Sequence, residues 1–314
     1  MSEINPYQPL DEAVYTWLTA PDGHAVRTAG FYKDQTRGAV ALVTGRTEYI
    51  EKYARVIDAW GERGFHVYAM DWRGQGLSPR PTADPHKHHV ESVAPMLSDL
   101  GLFLDHVSTQ TAGLRGPLLL FGHSMGAHLA LRWLADAAAD RRPDGAVFTA
   151  PMVDIRYGVP KPVVRGVAAA ATAVGRSAAY APGQGSAPAT GSTAAGARLT
   201  HDLGDIEAEA RFLADHPAYR LGGVTLGWLR AILASIDRLR APDSVARIDL
   251  PVLIALAEDD RVVSNRAARL LARRLPRGEV VTIARARHEI WRETPEIVGP
   301  FWAAIDRYIT ARGW

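Results

Sequence analysis

Cysteine is absent from the 314-residue chain. That removes disulfides, thiolate nucleophiles and cysteine-ligated metals, and it fits a reducing compartment. Any covalent catalysis must use another nucleophile. Long apolar runs are missing too: no stretch approaches the roughly 20 residues that cross a bilayer, and the Ala/Gly/Ser-rich tract 166–196 is too small and polar in its side chains to qualify. The opening MSEINPYQPLDEAVYTWL has acidic residues early and no basic start followed by an apolar core. It reads as no secretory signal, so a soluble, cytoplasmic protein is expected. An excess of one charge is lacking as well. The chain has 36 basic residues against 34 acidic ones, a net charge of +2. No Lys/Arg run offers a surface that tracks phosphates, and nucleic-acid binding is not expected.

What is present is an ordinary globular composition, 47% hydrophobic and 22% charged, at a length that buries a full core. Short apolar runs bounded by turn residues recur: AVALVTG (39–45), FHVYAMD (65–71), PLLLFG (117–122), GAVFTA (145–150), PVLIALA (251–257) and EVVTIA (279–284). Segments of helical period lie between most of them, such as EYIEKYARVIDAWGERG and NRAARLLARRLPRG. This alternation predicts an α/β fold with a mostly parallel central sheet covered on both faces by helices. Before it, VYTWLTA and HAVRTAGFY flank Pro21-Asp22-Gly23, which reads as an antiparallel hairpin. The alternation lapses between about Met152 and Ala241, so residues 1–151 and 242–314 are expected to form the core and 152–241 an inserted helical cap, or lid. Composition alone makes the Ala/Gly/Ser tract within it a flexible linker, with a loosely packed helix or a mobile lid segment as alternatives.

The stretch LLLFGHSMGAHLAL (118–131) carries the chemistry. Gly122-His123-Ser124-Met125-Gly126 ends an apolar strand and opens a helix, the context in which G-x-S-x-G is a nucleophile elbow. Strand and helix crowd at such a corner, which calls for glycine two positions either side of Ser124. The turn also sets the Met125 amide at a helix N-terminus, where free N–H groups favour developing negative charge. An N-capping serine is the plain alternative.

A serine hydroxyl needs a base. Of 11 histidines, His86, His88 and His89 in DPHKHHV read as a solvated loop rather than a metal site, and His123 reads as structural, pointing away from its neighbour. His288 follows the last strand-like run, at the expected carboxyl edge of the sheet, where it can meet Ser124. The third member must be a carboxylate that fixes the imidazole tautomer. LIALAEDDRVV supplies Glu258, Asp259 and Asp260 after a buried strand. Asp260 is preferred, with Asp259 the alternative. The order Ser, Asp, His matches the order this kind of elbow uses. The loop after AVALVTG runs into Thr44-Gly45-Arg46, where Gly45 allows close backbone approach, making the Arg46 amide the candidate second oxyanion donor. The Arg46 side chain is alternatively the active feature, or a plain surface charge.

With these residues in place, the chain resembles α/β-hydrolases of the lysophospholipase and monoacylglycerol-lipase group, closest to the bacterial lysophospholipase branch. The resemblance is carried by residues 44–78, 118–131, 199–202 (LTHD), 215–231 (DHPAYRLGGVTLGWLRA), 250–266 and 285–293 (RARHEIWRE). It implies Ser124 as nucleophile, Asp260 as triad acid, His288 as base and the Arg46 and Met125 amides as oxyanion hole. Asp71 to Gly76 (DWRGQG) resembles the family's structural turn near the site, which gives Asp71 no catalytic role. Thr44-Gly45 stands where the group's monoglyceride lipases usually have His-Gly.

The expected reaction is hydrolysis of a small-molecule acyl ester, a lysophospholipid or monoacylglycerol, through an acyl-enzyme. Neither metal nor organic cofactor is expected, and contact with membrane surfaces is at most transient. Phe212, Tyr219, Leu226, Trp228 and Leu229 are candidates for an apolar acyl site, or equally for the cap's own core. The rivals are an aminopeptidase or short-chain carboxylesterase on the same fold, and a non-catalytic binding protein that keeps the pocket. Oligomeric state is not legible.

Overall fold

The structure is a computed structural model describing residues 12–156, 158–186 and 196–314. The near-continuous apolar runs become strands: β3 (Gly38–Val43), β4 (Phe65–Met70), β5 (Leu118–His123), β6 (Gly145–Thr149), β7 (Val252–Ala257) and β8 (Gly278–Ile283). Every residue of β3, β6 and β7 is buried, as strands covered on both faces must be. The predicted hairpin supplies β1 (Val14–Thr19) and β2 (Ala25–Phe31), in register from Val14 opposite Gly30 to Thr19 opposite Ala25. The described strands form one sheet in the order β1-β2-β4-β3-β5-β6-β7-β8. The first two pairings are antiparallel and the rest parallel.

Helices cover both faces. On one lie α1 (Ala54–Glu62) and the C-terminal helix Pro295–Thr310, joining Tyr53, Trp60, Phe121, Phe301 and Tyr308 in one apolar cluster. On the other, α2 (Ala94–Thr111) and α3 (Ser124–Asp136) pack Phe103, Leu129 and Leu134 into a second. Each such buried side chain contributes about 1.5–3 kcal/mol of transfer free energy. The sheet thereby holds the carboxyl ends of β3, β5, β7 and β8 along one rim.

Between β6 and β7 the chain forms α4 (Lys161–Ala173), α5 (Leu203–Asp215) and α6 (Leu226–Arg240). The side chains of Asp202 and Thr225 cap α5 and α6, accepting from the Asp205 and Trp228 amides. The first part of the Ala/Gly/Ser tract is thus helix α4 rather than linker: Ala is the best helix former, and Pro162 sits in the first turn. The Ser/Thr/Ala run at 187–195 lies outside the described residues. After β7, α7 (Asn265–Ala272) is capped by the Ser264 hydroxyl, and α8 (Pro295–Thr310) closes the fold.

Candidate active site

Ser124 has φ +48°, a left-handed conformation that a non-glycine residue adopts only under constraint. The constraint is visible on either side. A Cβ at Gly122 would stand 3.1 Å from the Ala127 backbone, and one at Gly126 2.4 Å from the Thr44 carbonyl oxygen. Only glycine lets β3, β5 and α3 approach this closely. No side chain caps α3, so its first amides, including that of Met125, stay open at the positive end of the helix.

His288 sits in the loop after β8. Its Nε2 lies 2.9 Å from Ser124 Oγ and its Nδ1 2.8 Å from Asp260 Oδ2. The other Asp260 oxygen accepts from the Val262 and Val263 amides, at 2.8 and 2.9 Å. Of the three adjacent acids only Asp260 is buried; Glu258 and Asp259 are exposed, and Glu258 accepts from the Arg285 amide. Burial alone would raise the Asp260 carboxyl, but the His288 charge, its hydrogen bond and the two amides hold it below the ordinary carboxylate value. Burial alone would lower His288, yet Asp260 first, then Glu289 and Glu48, raise it above 6.5.

The loop after β3 is braced from several sides. The Gly45 amide donates to Glu48 Oε2, and Gln75 Nε2 donates to the Gly45 carbonyl at 2.9 Å. The Thr47 amide donates to Gln75 Oε1 at 2.7 Å, and Trp72 Nε1 to the Thr44 carbonyl at 2.8 Å. The Arg46 amide, between these fixed peptides, donates to no other described residue. Asp71 is a brace as well: its carboxylate accepts from the Ile50 and Leu77 amides, each at 3.0 Å.

Sequence reasoning missed a buried charge cluster beneath the site. Lys52 Nζ lies 2.8 Å from Glu289, 3.2 Å from Glu209 and 3.8 Å from Glu48; Arg292 pairs with Glu289 at 2.9 Å, Glu209 at 2.7 Å and Asp205. Glu48 is pushed up to about 7, by burial first, with Glu289 adding to the effect against the pull of Lys52. For Glu289 the same burial is overridden by Lys52 and Arg292, which hold it low. Clustering of charges in EYIEK and HEIWRE was a visible signal, but sequence does not tell a buried ion cluster from a solvated face.

Of the other histidines, His123 is a buried packing ring and the His86–His89 loop needs correction. The His123 ring centroid lies 4.9 Å from that of His288, with Nδ1 2.9 Å from Thr149 Oγ1. Burial, then the neighbouring His288, push it down to about 3, so it packs against the base as a neutral ring. The His86–His89 loop is not solvated throughout. His88 is 1% exposed and pairs with Val224 through the backbone, because the segment docks under α6. Among the described residues, no group of three or more His, Asp or Glu side chains is placed to hold a metal.

Above Ser124 opens a cavity of about 690 Å3. Arg46, His123, Ser124 and His288 form one end, and Met152, Ile155, Val163, Val167, Leu226, Trp228, Leu229 and Val262 the walls. Phe212 and Tyr219 do not line it. Phe212 stacks on Tyr49 at a centroid distance of 5.4 Å, Tyr219 packs against it tilted at 5.0 Å, and Tyr219 donates to Glu51 at 3.0 Å. Their α5 region packs on the core instead of facing the cavity.

Residues 34–295 match the family described as serine aminopeptidase, S33. Lysophospholipase L2 of Escherichia coli strain K12 is 34% identical over 265 residues, covering 83% of this chain and 74% of that protein. A probable lysophospholipase L2 of Haemophilus influenzae is 27% identical, covering 88% and 85%. Among solved structures, a soluble variant of monoglyceride lipase from Saccharomyces cerevisiae superposes with a TM-score of 0.77 at 19% identity, covering 96% of each chain. At that identity the likeness speaks for the fold.

Proposed function

The chain belongs to the serine aminopeptidase, S33 family, in the lysophospholipase and monoacylglycerol-lipase-like group of α/β-hydrolases, and from that premise we propose an acyl-ester hydrolase driven by Ser124, His288 and Asp260. The observation that carries the reading is the relay itself, 2.9 and 2.8 Å from link to link, opening into an apolar cavity. Ser124 Oγ attacks the ester carbonyl carbon while its proton passes to His288 Nε2. Asp260 holds the imidazole tautomer and stabilises the imidazolium. The oxyanion of the tetrahedral intermediate receives the Arg46 and Met125 amides. Collapse breaks the bond to the alcohol, which leaves with the proton from His288. Water, deprotonated by His288, then splits acyl-Ser124 and releases the carboxylic acid.

Leu226, Trp228 and Leu229, with the α4 valines, supply the acyl wall, and segment 152–241 acts as the cap over it. An aminopeptidase is less well supported. A peptide N-terminus needs a free carboxylate, whereas of the cavity's two acids Glu289 is held by Lys52 and Arg292, and Glu48 by Gly45 and Tyr53.

The test is labelling of wild type and Ser124→Ala with a fluorophosphonate probe, followed by turnover of p-nitrophenyl acyl esters, lysophosphatidylcholine, monoacylglycerol and an aminoacyl amide. Labelling of wild type alone, with lipid esters turned over faster than the amide, is expected. A folded wild type that takes no label would leave a binding protein as the better reading.

A further inference from the structure

Arg46 lines the cavity beside Ser124, and its guanidinium forms no ion pair among the described residues, although the Glu48 charge bears on it. Its recorded side-chain bond is a 3.5 Å contact from Nη1 to the Gly222 carbonyl. Glu48, two positions on, turns its carboxylate to the Gly45 amide and the Tyr53 hydroxyl instead. Arg46 is half-buried, and a guanidinium on a cavity wall without a paired carboxylate keeps its donors for a ligand.

Its surroundings repeat the pattern. Trp228 lines the same cavity, and its Nε1 is buried with no acceptor among the described residues. Behind it packs His88, ring centroid 5.5 Å from Trp228, with both ring nitrogens buried and unpartnered. Burial, then the nearby charges of Arg46 and Arg80, hold His88 well below its ordinary value, so it stays neutral. Arg80 gives its own hydrogen bonds to carbonyl oxygens of Gly76, Ser78, Pro85 and Ala218, with no acid paired to it. Among the described residues, the two acids that line the cavity, Glu48 and Glu289, are bonded elsewhere, and neither is paired with Arg46.

We propose that the Arg46 guanidinium is the headgroup site, receiving the phosphate of a monoacyl glycerophospholipid so that anionic lysophospholipids are preferred over neutral monoacylglycerols. The proposal rests on the acyl-ester reading above. An arginine fork matches two phosphate oxygens. The spacing suits the substrate: a glycerol unit separates the ester carbonyl from the phosphate, and an arginine side chain spans a comparable distance from its own amide. One residue would thus meet the oxyanion with its backbone and the headgroup with its side chain, while the acyl chain lies toward Val163, Val167 and Leu229.

The experiment reads binding without turnover, in the Ser124→Ala background. Lysophosphatidic acid, a monoacylglycerol of the same chain length and inorganic phosphate are each titrated below micelle-forming concentrations, followed by calorimetry. Lysophosphatidic acid is expected to bind at least about tenfold more tightly than the monoacylglycerol, Arg46→Gln to erase that ratio and Arg46→Lys to keep part of it. Equal affinities, an unchanged ratio in Arg46→Gln, or a parallel loss of both lipids would overturn the proposal. Phosphate alone binding as tightly as the lysophospholipid would overturn it too, in favour of a free-anion site. The failures are separable: Arg46-dependent binding without hydrolysis by the wild type sinks the hydrolase reading alone, whereas hydrolysis without an Arg46-dependent ratio sinks the headgroup site alone.

Discussion

His288 can accept a proton only while neutral, so its raised value has a directional consequence for rate. With the folded group above 6.5, the proposed base is lost as pH falls through that raised value and restored above it. The acid limb of kcat/KM is expected above 6.5. Asp260→Asn removes the first of the charges that raise it, so the limb should move down and kcat should fall by roughly 10⁴-fold, which a pH–rate profile of both proteins on one p-nitrophenyl ester would check. The convergence of Ser124, Asp260 and His288 was legible because each follows an apolar run that had to end at the same rim. Glu48 and Glu289 were not. A carboxylate's burial depends on partners such as Lys52 and Arg292, which lie far apart in the chain.

At the level of elements, the elbow depends on three backbones meeting without side chains between them. Gly126→Val places a methyl-bearing carbon against the Thr44 and Val43 carbonyls, which lie 2.4 and 2.7 Å from even a first added atom. Backbone cannot yield as a flexible side chain does, so β3 and its loop must shift. Loss of fluorophosphonate labelling is expected even where circular dichroism reports a folded protein, because the Arg46 amide moves with Thr44. Labelling at the wild-type rate would show that the crowding is not what sets the loop. Strand positions were readable from apolar runs, whereas the faces of the β6–β7 helices were not. Aromatic density drew Phe212 and Tyr219 toward the cavity, but the deciding partner, Tyr49, belongs to a distant loop. Leu226, Trp228 and Leu229, from the same stretch of sequence, do reach it.

Across the whole molecule, the Lys52 and Arg292 cluster fastens α5 to the core beside the apolar contacts of Tyr49 with Phe212 and Leu213. Lys52→Met leaves Glu48, Glu209 and Glu289 with one cation fewer in a buried site, and it should cost about 3–5 kcal/mol of stability, measurable by urea unfolding at neutral pH. A loss below 1 kcal/mol would mean that Arg292 alone neutralises the cluster.

The sheet order also bears on time. Ser124 and His288 are separated by 164 positions, and β8 reaches its place only by adding beyond β6 and β7. A growing chain therefore carries Ser124 as a plain alcohol through most of its synthesis. On the proposed mechanism, reactivity toward esters would switch on only when the last strand docks, so a nascent chain would be chemically silent until folding is complete.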